Sequence, residues 1–214
     1  MNKKYSYIGV SFIILLFGIY VIPKVVKRFQ KADLVTFNKV PDFEFVNQNG
    51  NTITNKNFDG KVYVVEFFFT TCPSICPIMN KKMIAIQKEF YGNPNFGIAS
   101  ISITPDIDTP EILSQYRKEH NIESRSWHML TGKTQEYVYE LSNKGFKLYA
   151  GNSEGEHGGF EHSGLFALID KEGNIRSRKD EYGNPMMYYR ALEENSFPDQ
   201  IKELKEDIKL LLNE

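Results

Sequence analysis

A chain of 214 residues, 41% hydrophobic and 25% charged, has the make-up of one generous globular domain, which excludes the disordered and collagen-like classes. Its net charge is −1, and outside one short flank no basic stripe marks a nucleic-acid binder. Two cysteines can form at most one bridge, so a disulfide framework is excluded as well.

Taken in order, residues 5–22 carry no charged side chain and are rich in Ile, Leu, Val, Phe and Gly. As a helix they would reach about 27 Å at ~1.5 Å per residue, close to the ~30 Å hydrocarbon core of a bilayer. Tyr5, Tyr7 and Tyr20 stand where interfacial aromatics belong. The run leads into Pro23-Lys-Val-Val-Lys-Arg28, with no small-residue cleavage site and no lipid-accepting cysteine. Residues 1–23 are therefore expected to be an uncleaved membrane anchor, 24–39 a charged juxtamembrane linker, and 40–214 the folded domain. Lys24, Lys27, Arg28 and Lys31 after the span outnumber Lys3 and Lys4 before it, so charge alone would keep the domain in the cytoplasm.

Val40-Pro-Asp-Phe-Glu-Phe45 and Thr52-Ile-Thr54 alternate apolar and polar residues around Gln48-Asn-Gly-Asn51, the pattern of a hairpin. Val62–Phe69 is an apolar, β-branched and aromatic run of strand length that ends on Thr-Thr-Cys72-Pro-Ser-Ile-Cys76-Pro77. Ile78, Met79, Met83, Ile86 and Phe90 then recur at helical spacing up to about Tyr91. A second buried strand is predicted over Phe96–Ile103. Thr109-Pro110 should cap and open a helix. Met129-Leu130 reads as a short strand and Thr134–Asn143 as a helix ended by Gly145; Lys147–Ala150 is an extended candidate and 151–161 a loop or hairpin insertion. Leu165–Ile169, Asp170–Asn174 and Ile175 read as strand, turn and strand. Pro198–Leu212 has Ile201, Leu204, Ile208 and Leu211 on one face, an amphipathic helix. Strands alternating with helices and ending in a hairpin and a helix predict an α/β, thioredoxin-like three-layer sandwich.

The chemistry is concentrated at Cys72 and Cys76. With Cys72 at the helix start, Cys76 would lie about one turn on, ~6 Å along the same face. Thiols so placed can share a soft ion, or bridge and be re-reduced. A helix N-terminus favours the thiolate form that both need, and Pro73 and Pro77 stiffen the turn. Copper(I), zinc and iron–sulfur chemistry all accept thiolate donors. Of the four histidines, His162 stands immediately before the 165–169 strand, where a site on this fold would be completed. His120 reads as a solvated or helix-terminal residue, His128 beside Trp127 as a packed or surface one, and His157 as part of the insertion. Met79 and Met83 read as core filler; Met186-Met187 is left unassigned.

The ordered set Phe-Thr-Thr-Cys72-Pro-Ser-Ile-Cys76-Pro77, Ser102-Ile-Thr-Pro105-Asp-Ile-Asp108-Thr-Pro110-Glu, Leu130-Thr-Gly and Glu161-His162-Ser before a strand resembles the Sco/SenC family over residues 40–212. The resemblance implies a membrane-anchored, thioredoxin-fold copper protein that assists assembly of the binuclear copper centre of cytochrome c oxidase. It implies Cys72, Cys76 and His162 as ligands of Cu(I) or Cu(II), with Glu161 and Asp108 as supporting carboxylates. Thr104 replaces an aspartate common in the family, and Glu161 stands where aspartate usually precedes the histidine. The implied partners are the copper-bearing subunit of the oxidase and, beyond it, other copper chaperones or thiol–disulfide proteins, with no nucleic acid. Against the charge count, the resemblance puts the domain on the extracytoplasmic side of a bacterial inner membrane. The chain is expected to be a metallochaperone rather than an enzyme; the alternative is a thiol–disulfide oxidoreductase with Cys72 attacking and Cys76 resolving. A peroxidase and a purely structural tethered module are weaker rivals, the first disfavoured by the close cysteine pair.

Overall fold

The computed structural model of the protein describes residues 10–22, 34–152, 160–180, 182–193 and 197–214. The chain divides into two units, Met1–Asp33 and Leu34–Glu214. In the first, residues 10–22 form helix α1, with Phe12, Ile13, Ile14 and Leu15 exposed. No helix among the described residues is long and apolar enough to cross a membrane. Residues 5–9 of the predicted span lie outside the described residues.

In the second unit, β4 (Val62–Phe68) and β5 (Phe96–Ser102) are buried at every position. Such runs form central parallel strands covered on both faces. They pair in parallel with each other, and β5 pairs in parallel with β6 (Trp127–Thr131). Beyond β6 lie β2 (Glu44–Asn47) and β3 (Thr52–Thr54), the predicted opening hairpin. On the other side β9 (Leu165–Ile169) is antiparallel to β4, followed by β10 (Asn174–Ser177) and β1 (Val35–Lys39), while β11 (Tyr189–Arg190) also pairs with β9. Ala150–Asn152 (β7) and Phe160–His162 (β8) form a separate two-stranded hairpin, as the insertion was expected to do.

Successive side chains of β4 point to opposite faces. Phe68 meets Tyr116 of α3 (Pro110–Glu119) at 5.9 Å between ring centroids. Phe67 meets Phe146 at 5.6 Å, at the end of the π-helical turn Leu141–Phe146 that continues α4 (Gln135–Glu140). Helices therefore cover both faces, which makes the three layers. Thr109 caps α3 by accepting from the Ile112 N–H at 3.4 Å, and Thr134 caps α4 by accepting from Tyr137 at 3.3 Å. Met79 and Met83, on α2 (Cys76–Glu89), are buried core residues. Against α2 lies α5 (Ile201–Leu212), whose Lys205 pairs with Glu89 at 3.1 Å.

Three hairpin turns share one construction. In 47–51, 170–174 and 180–184 the first Asn or Asp accepts at Oδ1 from the backbone N–H groups two and four residues on, at 2.8–3.1 Å. The fourth residue is a glycine with φ of 77°, 84° and 87° in turn, a conformation that costs a side chain dearly.

Two expectations change. Residues 35–39, expected to end the linker, form edge strand β1, with Val35 opposite Ser177; their polar alternation hid a strand that buries little. The unit boundary thus falls at Leu34. The opening strand begins at Glu44 rather than Val40, since Pro41 has no N–H to give to a ladder.

Candidate metal centre

The chain leaves β4 at Phe68 and reaches α2 through an irregular turn holding Cys72. Cys76, and not Cys72, is the first residue of α2, with Ile75 as its N-cap. This corrects the predicted placement of both cysteines along one helical face. The Cys72 N–H donates to the Phe69 carbonyl at 3.3 Å, so the turn folds back over the strand end and brings the two sulfurs together from different elements. Both cysteines are present as thiols, 7% and 3% exposed.

The pair is closely coupled. The Cys76 thiol is pushed well up, first by its hydrogen bond to Cys72 and then by burial, against the Phe69 backbone amide, which favours the thiolate. Cys72 Sγ also lies 3.7 Å from Ser74 Oγ. No side chain caps the N-terminus of α2, and its partial positive charge is directed at Cys76. Two soft donors in contact and shielded from water fit a soft cation, and they also fit reversible bridging.

Asp108 braces this turn from below. It is completely buried and accepts from the Thr70 N–H at 3.2 Å, the Thr70 hydroxyl, Ser102 Oγ at 2.5 Å and Thr104 Oγ1 at 3.0 Å. Thr104, the departure noted above, donates its hydroxyl to the remaining aspartate and so takes part in the same cluster.

His162 ends β8, opposite Ala150. Three residues later β9 begins, and it runs antiparallel to β4. The chain therefore enters β9 at the sheet end where β4 departs for Cys72. The side chains of Glu161 and His162, and all of His157, lie outside the described residues. Among the described residues no three His, Cys, Asp or Glu side chains converge on one point.

His120, expected to be solvated or helix-terminal, and His128, expected to be packed or on the surface, are both described. His120 is the C-cap of α3, its Nδ1 2.9 Å from the Tyr116 carbonyl and its ring stacked on Tyr116 at 3.8 Å. His128 is packed edge-on against Phe58 at 5.7 Å, 3.4 Å from Asn47 Nδ2, and burial depresses its pKa to about 4.

One residue close to the site was missed. Glu66 is 4% exposed in the middle of β4 and lines a small cavity together with Cys76 and Tyr116. Its signal was visible: it is the single charged residue in an otherwise apolar strand, six positions before Cys72.

Comparison with known proteins bears on the family and the fold. The model of the SCO1/SenC family matches residues 32–195. A SCO1 protein homolog of Bacillus subtilis is 30% identical over 168 residues, covering 78% of this chain and 81% of its own. A SCO1/SenC family lipoprotein from Bacillus anthracis superposes with a TM-score of 0.70 at 27% identity, over 83% of this chain and 97% of that one. BsSco, a member of the Sco family of cytochrome c oxidase assembly proteins in which a disulfide switch is identified, superposes at 0.68 and 27%, over 84% and 96%. Arabidopsis thaliana ScoI with copper bound shares the fold at 0.62 and 23%, over 82% and 99%.

Proposed function

This chain belongs to the SCO1/SenC family, and from that premise we propose that it is a membrane-tethered copper carrier that supplies the copper-bearing subunit of cytochrome c oxidase during assembly. Cys72, Cys76 and His162 hold the ion. The observation that carries this reading is the contact of two buried thiols at the uncapped start of α2. Two thiolates and an imidazole suit three-coordinate Cu(I), and the same set holds Cu(II) with one further weak ligand. Asp108 keeps the Cys72 turn seated on β4, and the β7–β8 hairpin carries His162. In this reading residues 1–23 are the anchor, with α1 as their described part, and the domain faces the extracytoplasmic side. Lys27, Arg28 and Lys31 then rest on anionic headgroups.

Metal analysis of the full chain in detergent tests the proposal. One copper per chain is expected, lost in the Cys72→Ala, Cys76→Ala double variant and weakened in His162→Ala. Copper content unchanged in the double variant would refute it.

The hydrogen bond between the two sulfurs supports a second reading, disulfide reduction. Cys72 thiolate attacks a partner disulfide, Cys76 displaces the mixed disulfide, and the partner leaves as a dithiol while this pair is oxidised. Reductase turnover with unaltered copper binding in His162→Ala would favour this reading over carriage.

A further inference from the structure

We propose that Asn143 is a positioning residue for His162: its side-chain amide fastens the strand against which the His162 backbone is registered. The inference rests on the reading of His162 as a copper ligand.

His162 belongs to the smaller of the two sheets. Among the described residues β7 and β8 form a two-stranded sheet of their own, and an isolated hairpin of two strands is marginal in water. The cysteines, in contrast, lie between β4 and α2, against the main sheet. The register of His162 therefore depends on what holds the other edge of β7.

The end of the helix α4 supplies that hold. Leu141–Phe146 widens into a π-helical turn, and Lys147 then takes the left-handed conformation at φ 53°. Left-handed backbone is uncommon for a residue with a side chain, and π-helical turns concentrate at functional sites. Residues 148–150 then run beside residues 142 and 143, with alternate residues bound at both backbone groups. The Leu148 N–H donates to the Ser142 carbonyl at 2.9 Å, and the Ser142 hydroxyl donates to the Leu148 carbonyl. Two residues on, the Ala150 N–H donates to Asn143 Oδ1 at 3.2 Å, and Asn143 Nδ2 donates to the Ala150 carbonyl at 2.8 Å. The amide of Asn143 thus imitates the peptide unit of a neighbouring strand.

The opposite edge of the same strand faces β8. The Ser163 N–H donates to the Tyr149 carbonyl at 2.9 Å, and Ala150 stands opposite His162 in the register. Backbone groups alternate sides along an antiparallel strand. Ala150, turned towards Asn143, is therefore a non-hydrogen-bonded partner of His162, and one residue links the two. Ala150 is 2% exposed, so losing Asn143 leaves two nearly buried backbone groups without their partner, which β7 recovers only by shifting towards water. Asn143 itself is exposed, so its truncation opens no cavity in the core.

The test uses the full chain in detergent, with copper affinity from chelator competition in a double-mutant cycle. Asn143→Ala should weaken binding about three- to tenfold, the scale of one or two net hydrogen bonds, without loss of stoichiometry. In the His162→Ala background the same substitution should change affinity by less than about twofold, since no ligand is left to position. The Cu(II) electron paramagnetic resonance of Asn143→Ala should show weakened nitrogen hyperfine coupling, and hydrogen exchange should quicken at residues 148–152 but not in α2. Lys144→Ala, which removes a side chain paired with Glu140 on the same turn, should bind copper as the wild type does. Wild-type affinity in Asn143→Ala, or an equal loss with and without His162, overturns the inference and leaves copper carriage intact. Unchanged copper binding in His162→Ala overturns the inference together with the reading of His162 as a ligand.

Discussion

Asp108 and Thr70, 38 residues apart, are joined twice: the aspartate accepts from the Thr70 N–H at 3.2 Å and from its hydroxyl. Thr70 lies two residues before Cys72. The loop that opens α3 therefore fixes the turn that carries a thiol, and Ser102 and Thr104 complete the ring of donors.

Removing that carboxylate should loosen the turn and cost stability together. Asp108→Ala leaves several buried donors without their acceptor, at about 1–3 kcal/mol each before relaxation. A net loss of about 3 kcal/mol is expected in urea unfolding, with weaker Cu(I) binding in chelator competition. Full stability with unweakened copper binding would show that the turn does not depend on Asp108.

Asp207 provides the contrast. It is fully buried, bound by Arg178 at 2.7 and 2.8 Å and by Tyr189 Oη at 2.7 Å. This pair ties α5 to the β10–β11 side of the sheet and touches neither cysteine. Asp207→Ala takes the buried acceptor from Tyr189 and from a half-buried guanidinium that keeps Glu206 and the Glu203 carbonyl, at about 1–3 kcal/mol. Copper stoichiometry should survive wherever the variant remains folded, as metal analysis at low temperature can establish.

His128 sets a pH dependence. Burial, with Lys61 and Arg117 nearby, lowers its folded pKa to about 4, against about 6.5 in an unfolded chain. Between those values the unfolded state binds more protons, so stability falls as pH drops from 6.5 towards 4 and levels below. For a partly exposed group the loss should be about 1–2 kcal/mol after solvent screening. Chemical denaturation from pH 7.5 to 4 should show this slope, and His128→Gln should reduce it.

The boundary at Leu34 can be tested by truncation. A chain of residues 34–214 retains β1 on β10 and should unfold cooperatively in solution. A chain of residues 40–214 loses that strand and bares the β10 edge, an invitation to aggregate. It should unfold at lower denaturant, by about 1–3 kcal/mol from the buried area lost. Equal midpoints for the two would show that β1 contributes nothing to the fold.

What was legible in the sequence was local. The run 62–68, apolar but for Glu66, required a central strand, Thr109-Pro110 and Thr134 marked helix starts, and the Asp170–Asn174 turn carried its own glycine. The cysteine pair, with the motifs around it, pointed to the family before any fold was known. These signals arise because propensity, capping and periodicity act over a few residues.

What only the tertiary structure decided depends on residues far apart in the chain. The helix start, taken at Cys72 from the sequence, falls at Cys76. β1 became a strand because β10 offered it an edge, although its own composition reads as linker. The support of Cys72 by Asp108 and the Trp127–Ser100–Glu66 chain behind Cys76 required three strands and a loop to meet. Glu66 and Cys76 are only ten positions apart in the sequence, but that they border one cavity is a fact of burial, because a strand and a turn lie between them and only packing brings their side chains together.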